Sequence, residues 1–298
     1  MAWIIRLAGI STDYADQVLH AAHRLDFYAK ASALAARGIE IVSADLDDEE
    51  RLARAFADAD AFFAVTDFYE PFATGVGAEK VTQIEYTRGG NAARAAARTA
   101  TLQVYFWSTL PAARELTRGE VSVPRFDAKG EIDAYIKQAE SGFEYEDGVS
   151  PDGVLCVELW VSLFTPLHSK PAQQWILPLP VRASSYLLSL SSVDTIGIIV
   201  SGLLQNPYPK TASGPRGGRY VHVTTGKYQI QEYFSKWVEI AGKGKLQVLS
   251  VRSEQFEALH GMCGTELGLM VKFWEVAGAP RMWGAVGDGD VIVDSRDL

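Results

Sequence analysis

The chain has 298 residues, 48% of them hydrophobic, with 37 acidic against 28 basic side chains and a formal net charge of -9. That length buries a sizeable core as one large α/β domain or two modest ones, and the charge, with no stripe of Lys and Arg, excludes a nucleic-acid surface. Two cysteines, Cys156 and Cys263, far apart and in apolar settings, suggest neither a disulfide framework nor a zinc site and fit a reducing, cytoplasmic home.

Ala2 to Leu7 reads as a first strand, too short and too interrupted by Arg6 for a signal or membrane segment. Where a dinucleotide-binding protein places a glycine-rich turn, Ala8 to Asp13 carries one glycine, and Asp13 adds a negative charge where a pyrophosphate would sit. An Ala-rich helix is expected from Ala15 to Ala36, stopped by Gly38. His20 and His23 lie one turn apart on it without a visible third ligand, which suits a surface pair better than a metal site.

Residues 39 to 69 read as strand, helix, strand: the β-branched run Ile39 to Val42, an amphipathic stretch on Leu52, Ala53 and Phe56, and the apolar run Ala61 to Val65. The expectation is one parallel β-α-β unit. In open α/β sheets ligands bind beyond the carboxyl ends of the strands, here Asp45-Leu46 and Thr66-Asp67-Phe68; the same residues also suit turn and cap chemistry. A long helix follows from Glu79 to Ala100, whose Gly89-Gly90 is expected to serve close packing on the sheet. Leu102 to Trp107 is a central parallel strand ending in Ser108-Thr109-Leu110-Pro111.

Residues 112 to 125 read as a polar loop, Asp127 to Glu140 as a helix and Gly153 to Val161 as a strand. Pro166 to Pro180, with four prolines, reads as a crossing loop. Val193 to Leu204 is an amphipathic helix broken by polar residues, not a membrane span. Ser213 to Gly218 resembles a phosphate loop in composition alone, since it lacks the Lys-Ser/Thr ending and a following helix. A strand at Tyr220 to Thr224, a helix from Lys227 to Ala241, a strand from Leu246 to Val251 and helices from about Ser253 and Thr265 complete the pattern. Their aromatics, Tyr233, Phe234, Trp237, Phe273 and Trp274, suit a core or lid; a substrate pocket is the alternative. The acidic tail from Gly284 lacks the twelve-residue calcium-loop pattern and reads as a solvated turn and strand.

A lysine in the first turn of a helix opposes that end's partial positive charge, so Lys129 asks for a nearby carboxylate or a ligand; Asp127 and Asp133 are the local candidates. The segments Gly38 to Val42 with Asp45 to Asp48, Val65 to Glu70, Ser108 to Pro111 and above all Val123 to Tyr135 together resemble the NmrA-like family, atypical short-chain dehydrogenase relatives that include fungal nitrogen regulators and an animal NADPH sensor. The resemblance spans roughly residues 30 to 140 and continues more weakly through Ser185 to Leu188 and Val193 to Gly197.

What it implies is an α/β fold, a Rossmann-like doubly wound parallel sheet over residues 1–165, with a smaller, mostly helical substrate or lid subdomain over 166–298. It implies NADP or NAD as cofactor, with Asp45 and Leu46 near the adenine, Thr66, Asp67 and Phe68 along the cofactor, and Lys129 at the nicotinamide end. The reaction implied is oxidation or reduction of a small secondary-metabolite substrate; the alternative is a redox-sensing regulator, cytoplasmic or nuclear, that binds NADP and a partner protein. The chain departs from the family in its first thirty residues and at Trp160 to Phe164, where the family has an aromatic-Glu-Asn segment. Ordinary short-chain dehydrogenases also place a proton-donating tyrosine four residues before the lysine, where this chain has Arg125. Ser108 and Lys129 remain as candidate catalytic residues, and Tyr69 and Tyr105 are candidate replacements for the tyrosine.

Overall fold

A computed structural model describes residues 3–7, 32–33, 35–102, 104–142, 153–155, 166–189, 193–205, 220–224, 226–281 and 291–294. The turn Ala8 to Asp13, His20 and His23, Trp160 to Phe164, Ser213 to Gly218 and the tail at 284–290 lie outside the described residues.

Strands β1 (Trp3–Leu7), β2 (Ala61–Val65) and β3 (Val104–Trp107) form one sheet in that order. β2 and β3 run parallel, with Ala61 opposite Val104 and Ala64 opposite Trp107. Their uninterrupted apolar runs are those of strands buried on both faces, and Ala61, Phe62, Phe63, Tyr105 and Phe106 are buried as that demands. β1 departs from the expected parallel arrangement: it runs antiparallel to β2, Trp3 opposite Val65 and Leu7 opposite Ala61.

The run Ile39 to Val42 likewise departs from expectation, for it is in no strand. With β1 on one edge of β2 and β3 on the other, the run has no strand beside it among the described residues, and β-branched residues without a ladder do not make one. Ile41 and Val42 are accordingly 41% and 39% exposed. The rest of the unit forms as read. Helix α1 (Glu49–Phe56) is capped by Asp48, whose side chain accepts from the Arg51 N–H at 2.9 Å, and it buries Leu52 and Phe56 against Phe62 and Ala96.

A short turn of helix, α2 (Tyr69–Phe72), leads to α3 (Ala78–Ala97). After β3 comes a second short turn, α4 (Ala113–Leu116), inside the stretch expected to be loop, and then α5 (Pro124–Gly142), which starts three residues earlier than the sequence suggests. Pro124 at its first position supplies the fixed φ that suits a helix start. Gly89 serves α5 and not the sheet: a Cβ there would lie 2.5 Å from Ile132 Cδ1 and 3.0 Å from its Cγ1. The glycine thereby lets α3 and α5 approach at the level of one buried isoleucine.

The remainder is mixed. β5 (Leu167–Ser169) and β6 (Gln174–Leu179) form a hairpin where a crossing loop was expected, and β10 (Leu246–Ser250) lies parallel to β6. Pro178 is accommodated because β5 has already ended at that level, so no ladder donor is needed on that side. β4 (Gly153–Leu155), β8 (Tyr220–Thr224) and β11 (Val291–Asp294) form a parallel set in the order β11-β8-β4, and β7 (Tyr186–Ser189) pairs antiparallel with β9 (Gly226–Gln229). Helix α6 (Val193–Gln205) forms as read, whereas the helix expected from Lys227 begins at Ile230 as α7 (Ile230–Ile240), its first residues being taken by β9. Helices α8 (Ser253–His260) and α9 (Gly264–Arg281) follow. One core cluster joins Phe126 of α5 to Phe234, Phe256, Phe273 and Trp274, so these aromatics are core, with Tyr233 and Trp237 packed against them. No helix among the described residues is long and apolar enough to cross a membrane.

Candidate functional site

Because β2 and β3 are parallel, the residues that follow them come out side by side: the Ser108 N–H donates to the Ala64 carbonyl at 2.9 Å, and Thr66 follows two residues after Ala64, just beyond the end of β2. Helix α5 closes over these two ends and presents Arg125, Lys129 and Asp133 at four-residue spacing, one stripe of the helix. All three carry polar heads into largely buried surroundings, and each head is treated differently.

Lys129 is fully partnered. Its ammonium donates to the Thr66 hydroxyl at 2.9 Å and points to the Thr66 and Ser108 carbonyls at 3.4 Å each. The Glu85 carboxylate stands at 3.1 Å, with 7% of the lysine side chain and 1% of the glutamate side chain exposed. The Thr66 hydroxyl in turn donates to Glu85, and the Trp107 ring centroid is 4.8 Å from the ammonium. Three N–H groups thus face four acceptors. The carboxylate that Lys129 requires is Glu85 from α3, and neither Asp127 nor Asp133 holds the lysine: Asp127 accepts from the Arg114 N–H and the Ser122 hydroxyl instead.

Arg125, one turn earlier, is under-partnered. One terminal nitrogen donates to the Tyr69 hydroxyl, the other to the Met270 sulfur at 2.9 Å, and Nε has no partner. Its guanidinium carbon lies 5.1 Å and 5.2 Å from the Tyr69 and Phe126 ring centroids. Beside it, Glu266 in the first turn of α9 is 2% exposed, and neither carboxylate oxygen has a hydrogen-bond partner. Burial pushes the Glu266 carboxyl up to about 7 although the Arg125 charge draws it down. Burial likewise raises the phenols of Tyr69, against the pull of Arg125, and of Tyr105, whose hydroxyl has no partner. Neither candidate replacement tyrosine is therefore tuned toward easy proton release.

Asp133, one turn later, is intermediate. It accepts from the Trp107 indole N–H at 2.9 Å and the Tyr220 hydroxyl at 3.0 Å. Burial raises it to about 6 while Thr109, Tyr220 and Trp107 donate to its charged form.

The other expected site residues divide by exposure. Leu46 is 2% exposed, with its carbonyl accepting from Asn91 Nδ2 at 2.7 Å, and Phe68 is buried against Phe72 and Val81. Asp45 and Asp67 are exposed and hold turns: Asp45 accepts from the Asp47 N–H at 3.1 Å, Asp67 from the Tyr69 N–H at 2.9 Å. The structure therefore brings Thr66, Ser108 and Lys129 together, and leaves Asp45 and Asp67 on the outer edge with Leu46 and Phe68 behind them.

The chemistry of this edge is that of hydrogen-bond acceptors, which suits the donor groups of a nucleoside. The exposed carboxylates of Asp45 and Asp67 can accept from hydroxyl or amide donors and offer nothing to a pyrophosphate; the segment Ala8 to Asp13 lies outside the described residues. Sequence reasoning missed Glu85 and Glu266. Glu85 had a signal: Val81, Glu85, Gly89, Ala92 and Ala96 form one helical stripe, so the glutamate stands at a core position, where a carboxylate needs a partner.

A parallel pair of strands, a helix crossing their carboxyl ends and a buried lysine on that helix define a Rossmann-type α/β protein. The chain belongs to the NmrA-like family, whose pattern matches residues 20–279. Among solved structures, it is similar to the Citrobacter sp. triphenylmethane reductase complexed with NADP(H), at 13% identity and a TM-score of 0.58 over 91% of this chain and 82% of that one. An NADPH-dependent quinone oxidoreductase from Escherichia coli complexed with NADPH aligns at 14% identity and a TM-score of 0.55, covering 90% and 86% of the two chains. Nmra, a negative transcriptional regulator in complex with NAD, aligns at 16% identity and a TM-score of 0.56 over 74% of this chain, which spans 62% of its length.

Proposed function

We propose that the protein is an NAD(P)-dependent oxidoreductase acting on a small carbonyl or imine substrate of the secondary-metabolite kind, within an arrangement of cofactor domain (1–165) and substrate subdomain (166–298). The observation that carries the reading is the convergence of the β2 and β3 ends, Thr66 and Ser108, on Lys129. The solved proteins of the same fold are described with NADP(H), NADPH or NAD, which supports the choice of cofactor. A bound dinucleotide supplies the hydride. Asp45 and Asp67 would accept from its hydroxyl or amide groups, Thr66 to Phe68 would run along it, and Lys129 with Ser108 would stand at the nicotinamide end. Titration of NADPH and NADH by fluorescence tests the reading; no binding at millimolar cofactor sinks it.

A second reading has its own support. Arg125 stands where a tyrosine would deliver the proton, and the N–H groups of Lys129 are all engaged by the protein. Both suit a cytoplasmic or nuclear regulator that senses the dinucleotide and docks on a partner protein. Lys129→Arg separates the two: turnover lost with cofactor binding kept supports the enzyme, whereas partner capture that changes with NADPH and no turnover in the parent supports the regulator.

A further inference from the structure

We propose that Glu85 is the positioning residue of this site, the internal counter-ion that fixes Lys129 as an ammonium at the strand ends, so that Lys129 serves as a fixed charge and donor and not as a proton acceptor. Glu85 comes from α3, a different element from the lysine, and its side chain is more deeply buried than the one it holds. A carboxylate with 1% of its side chain exposed, in a helix whose neighbouring stripe positions are valine, glycine and alanine, has no reason to be there except the charge opposite it.

The geometry leaves the lysine nitrogen no acceptor role. Every polar neighbour named for it, the Glu85 carboxylate, the Thr66 hydroxyl and the Thr66 and Ser108 carbonyls, receives a proton from it or opposes its charge. A neutral amine would face the carboxylate and the carbonyls with its lone pair unpaired and one donor short. The Thr66 hydroxyl fixes the polarity of the set, because it donates to Glu85 and so has only lone pairs left for Lys129. Other groups facing the lysine do not alter this balance: the Trp107 ring offers its face to a cation, and Arg125 and Asp133 lie one turn to either side on α5 with partners of their own.

Gly89 completes the device. It sits one turn beyond Glu85 and packs on Ile132, which sits near Lys129 on α5, so the close approach of the two helices sets the separation of the ion pair. In the reaction proposed above, run in the direction of substrate oxidation, the group that takes the substrate's proton would then be water or a side chain other than Lys129.

The test follows the Lys129 Nζ directly, by NMR correlation of Cε and Nζ in protein labelled at lysine, with the signal assigned by its loss in Lys129→Met. In the parent protein the signal is expected to be that of an ammonium at neutral pH. A parent Lys129 that loses its proton below about pH 8 overturns the proposal, even if no variant folds. In Glu85→Gln the deprotonation midpoint is expected to fall by at least one pH unit and to recover in part in Glu85→Asp; an unchanged midpoint in Glu85→Gln overturns the proposal as well. Glu85 takes its functional meaning from the placement of Lys129 at the nicotinamide end, yet the readout uses no cofactor. A protein that fails to bind NADPH would sink the functional reading and leave the Lys129 result standing.

Discussion

Two consecutive turns of α5 carry a cation each, and the protein treats them in opposite ways. Lys129 is held by a carboxylate at 3.1 Å, a hydroxyl at 2.9 Å and two carbonyls. Arg125 has a phenol, a thioether and an orphaned Nε, with the Glu266 carboxyl nearby that feels its charge but makes no side-chain ion pair with it. A saturated buried network is rigid and preorganised; a half-satisfied one is where a protein is open to protonation or ligand. The difference assigns the fixed part of the site to the β2 and β3 ends and its responsive part to the junction of α5 with α9.

The largest expected effect comes from breaking the saturated turn. Lys129→Met leaves Glu85 as an uncompensated buried charge and should cost about 3–5 kcal/mol in urea unfolding. Lys129→Met combined with Glu85→Leu should recover most of that loss, because a buried pair replaced by apolar groups is often neutral. Failure of the double variant to recover would mean that the network stabilises through Thr66 and the carbonyls more than through the charge pair.

The Arg125 turn should respond in the opposite direction. Glu266 is raised from 4.5 to about 7, so the folded state binds more protons than the unfolded one between those values. Stability therefore falls as pH rises from about 4.5 to about 7 and stays reduced above it, by up to about 3 kcal/mol at 1.36 kcal/mol per pH unit. Glu266→Gln should remove that loss, so the variant gains on the parent at pH 8 and not at pH 4. A parallel pair of stability curves would show that Arg125 already compensates the carboxylate.

The third effect is smaller and purely steric. Gly89→Ala places a methyl 2.5 Å from Ile132 Cδ1, and overpacking of this kind costs about 1–3 kcal/mol. Ile132→Val, which removes that δ-methyl, should relieve part of the cost in the double variant. Because Gly89 governs how closely α3 approaches α5, its alanine variant should also perturb the Lys129 Nζ signal, whereas Glu266→Gln should leave it unchanged.

Much of this site was legible from sequence order alone. The apolar runs ending in Thr66 and Ser108 marked two parallel strands. The dipole argument for Lys129 assumed a helix start at Asp127; with α5 starting at Pro124 the lysine lies in the second turn, where it is burial and not the helix end that demands a negative partner. Its identity was not legible locally, since Glu85 is brought in by tertiary packing across forty-odd residues of chain. The run Ile39 to Val42 misled for a related reason: its composition is that of a strand, but strand formation needs a neighbour, and the antiparallel placement of β1 is invisible in a pattern of apolar residues. Pro166 to Pro180 misled through its prolines, which a short hairpin accommodates once its partner strand has ended.

Asp133 tests whether the contrast between the two cations is one of charge pairing or of hydrogen-bond supply. Trp107, Tyr220 and Thr109 donate to it and the Lys137 charge favours its ionised form, yet no cation stands at ion-pair distance among the described residues, so it is supplied more with hydrogen bonds than with charge. Its value of about 6, raised from 3.8, means that ionisation opposes folding as pH rises from about 4 to about 6. Tyr220→Phe removes one donor to the charged form. The expected cost is about 1 kcal/mol where Asp133 is ionised, near pH 8, and less near pH 4, where the carboxyl is protonated and needs that donor less. If the cost is equal at both pH values, the Tyr220 hydroxyl is acting through Lys137, which donates to it at 2.7 Å, and Asp133 is sustained by the Trp107 indole and Thr109 alone.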